Sequence, residues 1–235
     1  MFYTVDFDRM PEAFLRAVTM SESRPASPRR APPDRPIDLA CCVAISREVG
    51  ALGTTVAREV GSRLGWPVYD HEILEQIAQR MRVPVSLLEQ VDERHVSWLE
   101  ECLDAFTAVP LVRESTYVRQ LVELLGALGK QGQAVIVGRG AAHYLPCQTT
   151  LRVRLVAPLE DRIATMQREM QLSPDSAARF VHEADRQRRR FIYDHFLKDC
   201  EDHQHYDLLL NTSRCSVQSC ATVIVDALHS MQQQK

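Results

Sequence analysis

The sequence predicts an α/β fold, a five-stranded parallel sheet with helices on both faces. Three observations carry this expectation. Strand-like and helix-like segments alternate along the chain. The first strand candidate, Ala40 to Ile45 (ACCVAI), is a continuous apolar run of the kind that a strand covered on both faces requires. The residues that follow the strand candidates are unusually polar, and ligands of open α/β sheets gather at those carboxyl ends.

The elements follow in order. After Ile45, the segment Ser46 to Leu64 (SREVGALGTTVAREVGSRL) runs through a glycine-bearing loop into an amphipathic helix. Gly50 and Gly53 allow a tight turn with consecutive exposed amides, and Thr54 or Thr55 starts the helix, whose orphan N–H groups and positive dipole end suit an anion. Gly65 closes the helix, and Trp66 to Tyr69 (WPVY) is a short second strand. Asp70 is expected to cap a helix over His71 to Met81 while also facing the cleft, and that helix places Ile73, Leu74, Ile77 and Ala78 on one face. Val85 to Phe106 and Thr116 to Lys130 read as two more helices. The strands Ala134 to Val137, Leu151 to Val156 and Tyr206 to Leu210 complete the sheet. A last helix, Ser216 to Met231, carries an apolar stripe of Val217, Val223, Ile224, Ala227 and Leu228.

At 235 residues the chain is long enough for one substantial core, expected over 39–235, preceded by a leader over 1–38. The leader contains ESRPASPRRAPPDRP, too poor in apolar residues to pack, and is expected to be disordered. A net charge of -3 argues against a specific nucleic-acid surface, and no stretch approaches the roughly 20 apolar residues of a membrane span. Seven cysteines without paired spacing fit a reducing compartment, so the protein is expected to be cytoplasmic. Cys200, His203 and His205 are zinc-type residues, but no Cys-x-x-Cys knuckle accompanies them and a strand separates them from Cys215 and Cys220, so no zinc site is expected.

Against the pattern glycine, four residues, glycine, lysine, serine or threonine, Gly53 and Thr55 match, while Glu48 stands for the first glycine and Thr54 for the lysine. The second strand candidate ends in Tyr69, Asp70 and His71, and the third in Gly138, Arg139 and Gly140; glycines flanking Arg139 favour close approach by a ligand. Asp185 to Arg190 (DRQRRR) holds four arginines, and helical spacing would let Asp185 orient Arg188 or Arg189.

Taken together, ISREVGALGTTVAREVGSRLG, PVYDHEILEQIA, AVIVGRGAAHYL, LVAPLEDRI, DRQRRRFI and YDLLLNTS resemble, in order and spacing, the cytidylate kinase-like proteins, a branch of the nucleoside monophosphate kinases. The resemblance covers Ala40 to Met231 and implies a three-layer P-loop NTPase fold with a helical lid over about 173–200. It implies ATP and Mg²⁺, and transfer of the γ-phosphoryl group to CMP or dCMP, giving the diphosphate and ADP. Ser46, Gly50, Ala51, Leu52, Gly53, Thr54 and Thr55 would then cradle the donor phosphates, with Thr55 also holding the metal. Arg188 and Asp185 fit the family's aspartate-x-x-arginine pattern and would be catalytic together with Arg189; Asp70 and Arg139 would bind the acceptor. Arg162 also matches a family position, where it would support the lid. Members of this branch commonly replace the loop lysine, but Gly140 stands where an aspartate is frequent. Those departures keep open a catalytically weak, nucleotide-binding regulatory protein of the same fold. The expected partners are nucleotide substrates, with the protein a monomer or weak homodimer.

Overall fold

The computed structural model describes residues 41–89 and 114–233. The leader, the expected helix beyond Glu89 and the start of the helix expected from Thr116 are affected: the first two lie outside the described residues, and the third begins at their edge. In chain order the elements are β1 (Cys42–Arg47), α1 (Gly53–Leu64), β2 (Val68–Tyr69), α2 (Glu72–Met81), α3 (Val85–Glu89), α4 (Glu114–Gln131), β3 (Ala134–Val137), α5 (Ala141–Tyr144), β4 (Thr150–Val156), α6 (Leu159–Met170), α7 (Pro174–Phe196), β5 (Leu208–Asn211) and α8 (Val217–Gln233). The strands form one five-stranded sheet in the order β2-β3-β1-β4-β5, all pairs parallel.

The strand period of two divides the apolar residues between two layers. Cys42 and Ala44 of β1 join Ala134 and Ile136 of β3 under α2, α4 and α5, where Ile73, Leu74, Tyr117, Leu121 and Leu125 are buried. Val43 and Ile45, with Val135, Val137, Val153 and Leu155, face the other way, against Val56, Ala57 and Val60 of α1 and Ile224 and Leu228 of α8. A smaller cluster of Val49, Met166, Ala177 and Val181 fastens the loop after β1 to α6 and α7. α7 begins where its sequence permits: Ser173 Oγ accepts from the Ser176 N–H, and Pro174 occupies the first turn, where its missing donor is harmless.

Several expectations shift in detail. β1 continues to Arg47, because its ladder with β4 runs on through Ser46↔Arg154 and Arg47↔Leu155. Ser46 and Arg47 therefore belong to the strand rather than to the loop. β2 shortens to Val68–Tyr69, since Pro67 contributes only a carbonyl, to the Val135 N–H. Val223 is 42% exposed: the buried phase of α8 runs through Cys220, Ile224 and Leu228, one position away. Asp70 does not cap α2; that place is taken by His71 without a side-chain bond, and the Asp70 carboxylate turns to the sheet's edge.

The connection leaving β1 crosses to β2 on one side of the sheet, and that leaving β4 crosses to β5 on the other. The switch point thus lies between β1 and β4, where a crevice opens at the strands' carboxyl ends.

Candidate active site

The loop after β1 is held by its own backbone. The Glu48 N–H donates to Leu155 O (3.1 Å), the Ala51 N–H to Glu48 O (3.2 Å), and Leu52 adopts a left-handed conformation (φ 54) just before α1. The first helical bond runs from the Val56 N–H to Leu52 O at 3.0 Å. The N–H groups of Gly53, Thr54 and Thr55 consequently have no acceptor inside the helix and present its positive end. Gly50 has φ +80, and a Cβ there would stand 2.6 Å from Arg162 O and 2.9 Å from Arg162 Cα. Backbone cannot yield as a flexible side chain can. Gly50→Ala should therefore destabilise the fold by about 3 kcal/mol, from the left-handed penalty and overpacking together, measured as a shift of the urea midpoint.

Thr54 and Thr55 diverge. Thr55 is exposed in the first turn, whereas Thr54 Oγ1 donates to Asp70 Oδ2 at 2.6 Å. Asp70 also gathers cations: Arg47 Nη2 lies 3.8 Å and Arg139 Nη1 3.6 Å from Oδ1, and Arg139 Nη1 donates to the Asp70 carbonyl as well. The stem of Arg47 crosses Gly53 so closely that a Cβ on that glycine would meet Arg47 Cγ at 2.6 Å. Arg47 thus brings positive charge to the loop from the end of β1, beside the position where the standard pattern has lysine. Arg139 is only 4% exposed, in a left-handed conformation (φ 49) between Gly138 and Gly140. The close approach at Gly140 is made by the Phe196 ring of α7, which a Cβ there would strike.

Asp185 turns to the loop after β1 and to Arg162. Its Oδ1 accepts from the Val49 N–H (3.0 Å) and its Oδ2 from Arg162 Nη1 (2.5 Å). Arg162, 8% exposed, also donates from Nε to Ala157 O (3.0 Å) and lies 3.4 Å from Glu48 Oε2. Glu48 in turn accepts from the Ala157 N–H at 3.0 Å. The physical reason is reach: Asp185 sits on the face of α7 that packs against the loop, so loop atoms take its lone pairs. Arg189, on the outer face, pairs with Glu201 (2.8 Å). Arg188 remains at the loop, its Nη1 donating to Arg47 O at 3.4 Å.

Between α5, α7 and the ends of β1 and β4 lies a crevice of about 330 Å³, open to solvent and lined by Ser46, Arg47, Gly138, Gly140, His143, Arg154, Arg188 and Cys200 among others. Ser46 Oγ accepts from Arg154 Nη1 at 2.8 Å. The Tyr206 hydroxyl donates to Cys200 O (2.8 Å) and lies 3.3 Å from both Ser46 Oγ and His143 Nε2. Burial, reinforced by nearby His205 and Arg154, pushes the His143 pKa down from 6.5 to about 4. The unfolded chain then binds the proton more tightly than the native one. Stability should be level above pH 6.5 and fall between there and about 4, by at most roughly 1.4 kcal/mol per pH unit. Urea midpoints of wild type and His143→Phe across that range check this: the variant's profile should be flatter.

Residues 42–214 match the cytidylate kinase-like family. The chain belongs to this family. The cytidylate kinase-like fold seen here is also found in solved structures at low identity. An uncharacterized protein from Eubacterium ventriosum superposes with a TM-score of 0.62 at 15% identity, over 81% of this chain and 99% of its own. TT1252 from Thermus thermophilus superposes with 0.51 at 15% identity, over 82% of this chain and 98% of its own. A shikimate kinase from Acinetobacter baumannii gives 0.47 at 15% identity, over 82% and 94%. At such identities the likeness is one of fold. No curated protein matches the chain.

The three-layer arrangement, with a phosphate loop between β1 and α1, is a P-loop fold. Family membership supports phosphoryl transfer of the kinase type, with ATP and Mg²⁺. The residues present suit magnesium in a limited way. Thr55 offers an exposed hydroxyl at the loop, compatible with an ion that keeps most of its water, whereas the Asp70 oxygens are engaged by Thr54 and arginines. Among the described residues no helix is long and apolar enough to cross a membrane, and no three of His, Cys, Asp and Glu come together as a metal cage.

Of the residues expected from sequence, the loop, Thr54, Asp70 and Arg139 converge on one side of the crevice and Arg188 closes on it from α7, while Arg189 stands apart. The sequence reading assigned no role to Arg47, Arg154 or His143. The only advance signal for Arg154 was two arginines in LRVRLV, on alternate positions of a strand and hence on one face.

Proposed function

We propose that the protein transfers the γ-phosphoryl group of ATP to a nucleoside monophosphate, CMP or dCMP foremost. The observation that carries this is the pairing of the open N-terminus of α1 with Arg188, which reaches from α7 to the end of β1 just before the loop. The amides of Gly53 to Thr55 receive the donor phosphates, and Arg47 contributes charge in place of the missing lysine. An oxygen of the acceptor phosphate attacks the γ-phosphorus, the bond to the β–γ bridging oxygen breaks, and ADP leaves. No proton need be removed, since the attacking oxygen is already anionic. Arg188 offsets the charge that develops on the transferring group, and its planar fork serves two oxygens at once. Thr55, together with water, would hold magnesium, which would supply charge neutralisation for the donor phosphates. Asp70 and Arg139 form the wall beside the acceptor.

ADP formation with CMP, dCMP, UMP, AMP and GMP offered separately tests the proposal. Turnover dependent on a pyrimidine monophosphate supports it; turnover with none of them sinks it. The bond from Thr54 to Asp70, which fixes an uncharged side chain where lysine would stand, favours one second reading: a regulatory protein that binds nucleotide without efficient transfer. ATP binding without turnover on any acceptor would establish that reading.

A further inference from the structure

Three arginines are buried among the described residues: Arg139, Arg154 and Arg162. Two have carboxylates beside them. Arg139 lies 3.6 Å from Asp70, and Arg162 lies 2.5 Å from Asp185. Arg154 is 8% exposed, yet its neighbours are neutral: Ser46 Oγ accepts from Nη1 at 2.8 Å, and the Tyr206 ring centroid lies 5.9 Å from Cζ. No carboxylate of the described residues is paired with it. A guanidinium withdrawn from water without a counter-charge is strongly unfavourable, and the deficit is relieved when an anion enters.

The surroundings are built to admit one. Arg154 is the ladder partner of Ser46 at the switch point of the sheet, and both line the crevice together with Arg188 and His143. His143 Nδ1 is buried without a hydrogen-bond partner among the described residues, a polar atom left for something in the crevice. The register places Arg154 on the sheet face of Cys42 and Ala44, whereas α1, with the donor loop at its start, packs on the opposite face. Arg139, the residue expected to take the acceptor's phosphate, is enclosed and turned to Asp70.

We propose that Arg154, assisted by Ser46 and His143, is the anchor for the phosphate monoester of the acceptor, with Arg188 reaching the same group from α7. This assignment rests on the phosphoryl-transfer reading for the identity of the ligand, but the anion site itself stands on geometry. It makes β4, rather than the turn after β3, the element that selects an anionic acceptor. A planar guanidinium held by Ser46 offers its remaining donors in a fixed fork that matches phosphate oxygens.

Orthophosphate is titrated into the full-length wild type and Arg154→Met by calorimetry, with acetate alongside. The wild type should bind one equivalent more than the variant, or bind at least about tenfold more tightly, as loss of a charge-assisted contact implies, and acetate should bind far more weakly. Equal stoichiometry and affinity in both proteins, or acetate binding as tight as phosphate, would overturn the assignment. A second measurement uses the wild type alone, where the folding of a variant plays no part: phosphate must shift the imidazole NMR signals of His143, and unchanged signals at saturation would overturn it equally. Turnover separates this proposal from the broader one. If the wild type is active, Arg154→Met should raise the acceptor KM with the ATP KM unchanged, and a KM for ATP that moves instead counts against it. If the wild type forms no ADP with any acceptor, the kinase reading fails while the phosphate titration still decides the anion site.

Discussion

Arg188→Ala is expected to lower kcat by about 10³, the scale on which a single arginine acts in phosphoryl transfer. The effect should be catalytic rather than structural. Arg188 is half-buried at the mouth of the crevice, and its bond to Arg47 O is long at 3.4 Å. Helix α7 is instead secured by Ala177, Val181, Phe191 and Ile192, none of which depends on this guanidinium. The thermal midpoint of the variant should therefore stay near that of the wild type. Arg188→Lys should recover only part of the loss, because an ammonium keeps the charge but not the fork. A fall in kcat of less than about tenfold, about 1.4 kcal/mol of barrier, would show that the transferring charge is stabilised elsewhere.

Arg162→Met is expected to cost about 3 kcal/mol of stability, read from urea denaturation. The substitution leaves Asp185 and Glu48 without their shared cation, at side-chain exposures of only 21% and 24%. It also removes the donors to Ala157 O and Val49 O. Full burial would warrant the upper end of the range for a broken buried pair; partial access to water keeps the figure lower. Arg162→Lys should not restore stability, since one ammonium on a shorter stem cannot serve Asp185, Glu48 and two carbonyls together. A loss below about 1 kcal/mol would mean that solvent already screens this network as it does surface pairs. The same variant should weaken ATP binding, because Asp185 and Arg162 hold the backbone of Val49 next to the phosphate loop.

The arrangement has a mechanical consequence. Glu48 and Val49 of the loop, Arg162 of α6 and Asp185 of α7 are joined in one set of hydrogen bonds and ion pairs. Three residues along α7 from Asp185, Arg188 meets the loop again. The aspartate-x-x-arginine spacing therefore docks the helix with its first member and brings the second to the reacting phosphates. The aspartate thus serves the loop's N–H and Arg162, a role its helical spacing did not announce.

The sequence by itself determined what is local. The apolar run before Ser46, the glycines at 50 and 53 and the 3.6-residue periodicity of α1, α2 and α4 all act within a few residues, and they sufficed for an α/β chain with a phosphate loop. Position at the strand ends also marked Asp70 and Arg139, and the family resemblance added Arg188 to them. Only the tertiary structure decided which charges are spent and which are available. Asp70 reads as a cap until Thr54, 16 residues away, is folded against it. Asp185 reads as a partner for its own helix until Val49, 136 residues away, claims it. Arg154 reads as an ordinary strand arginine until Ser46, 108 residues away, and the segment around Cys200 and Tyr206 come together around it and leave it 8% exposed at the crevice. A charge's role depends on its counter-charges and its solvation, and both are set by residues brought together across the sheet rather than by those beside it in the chain.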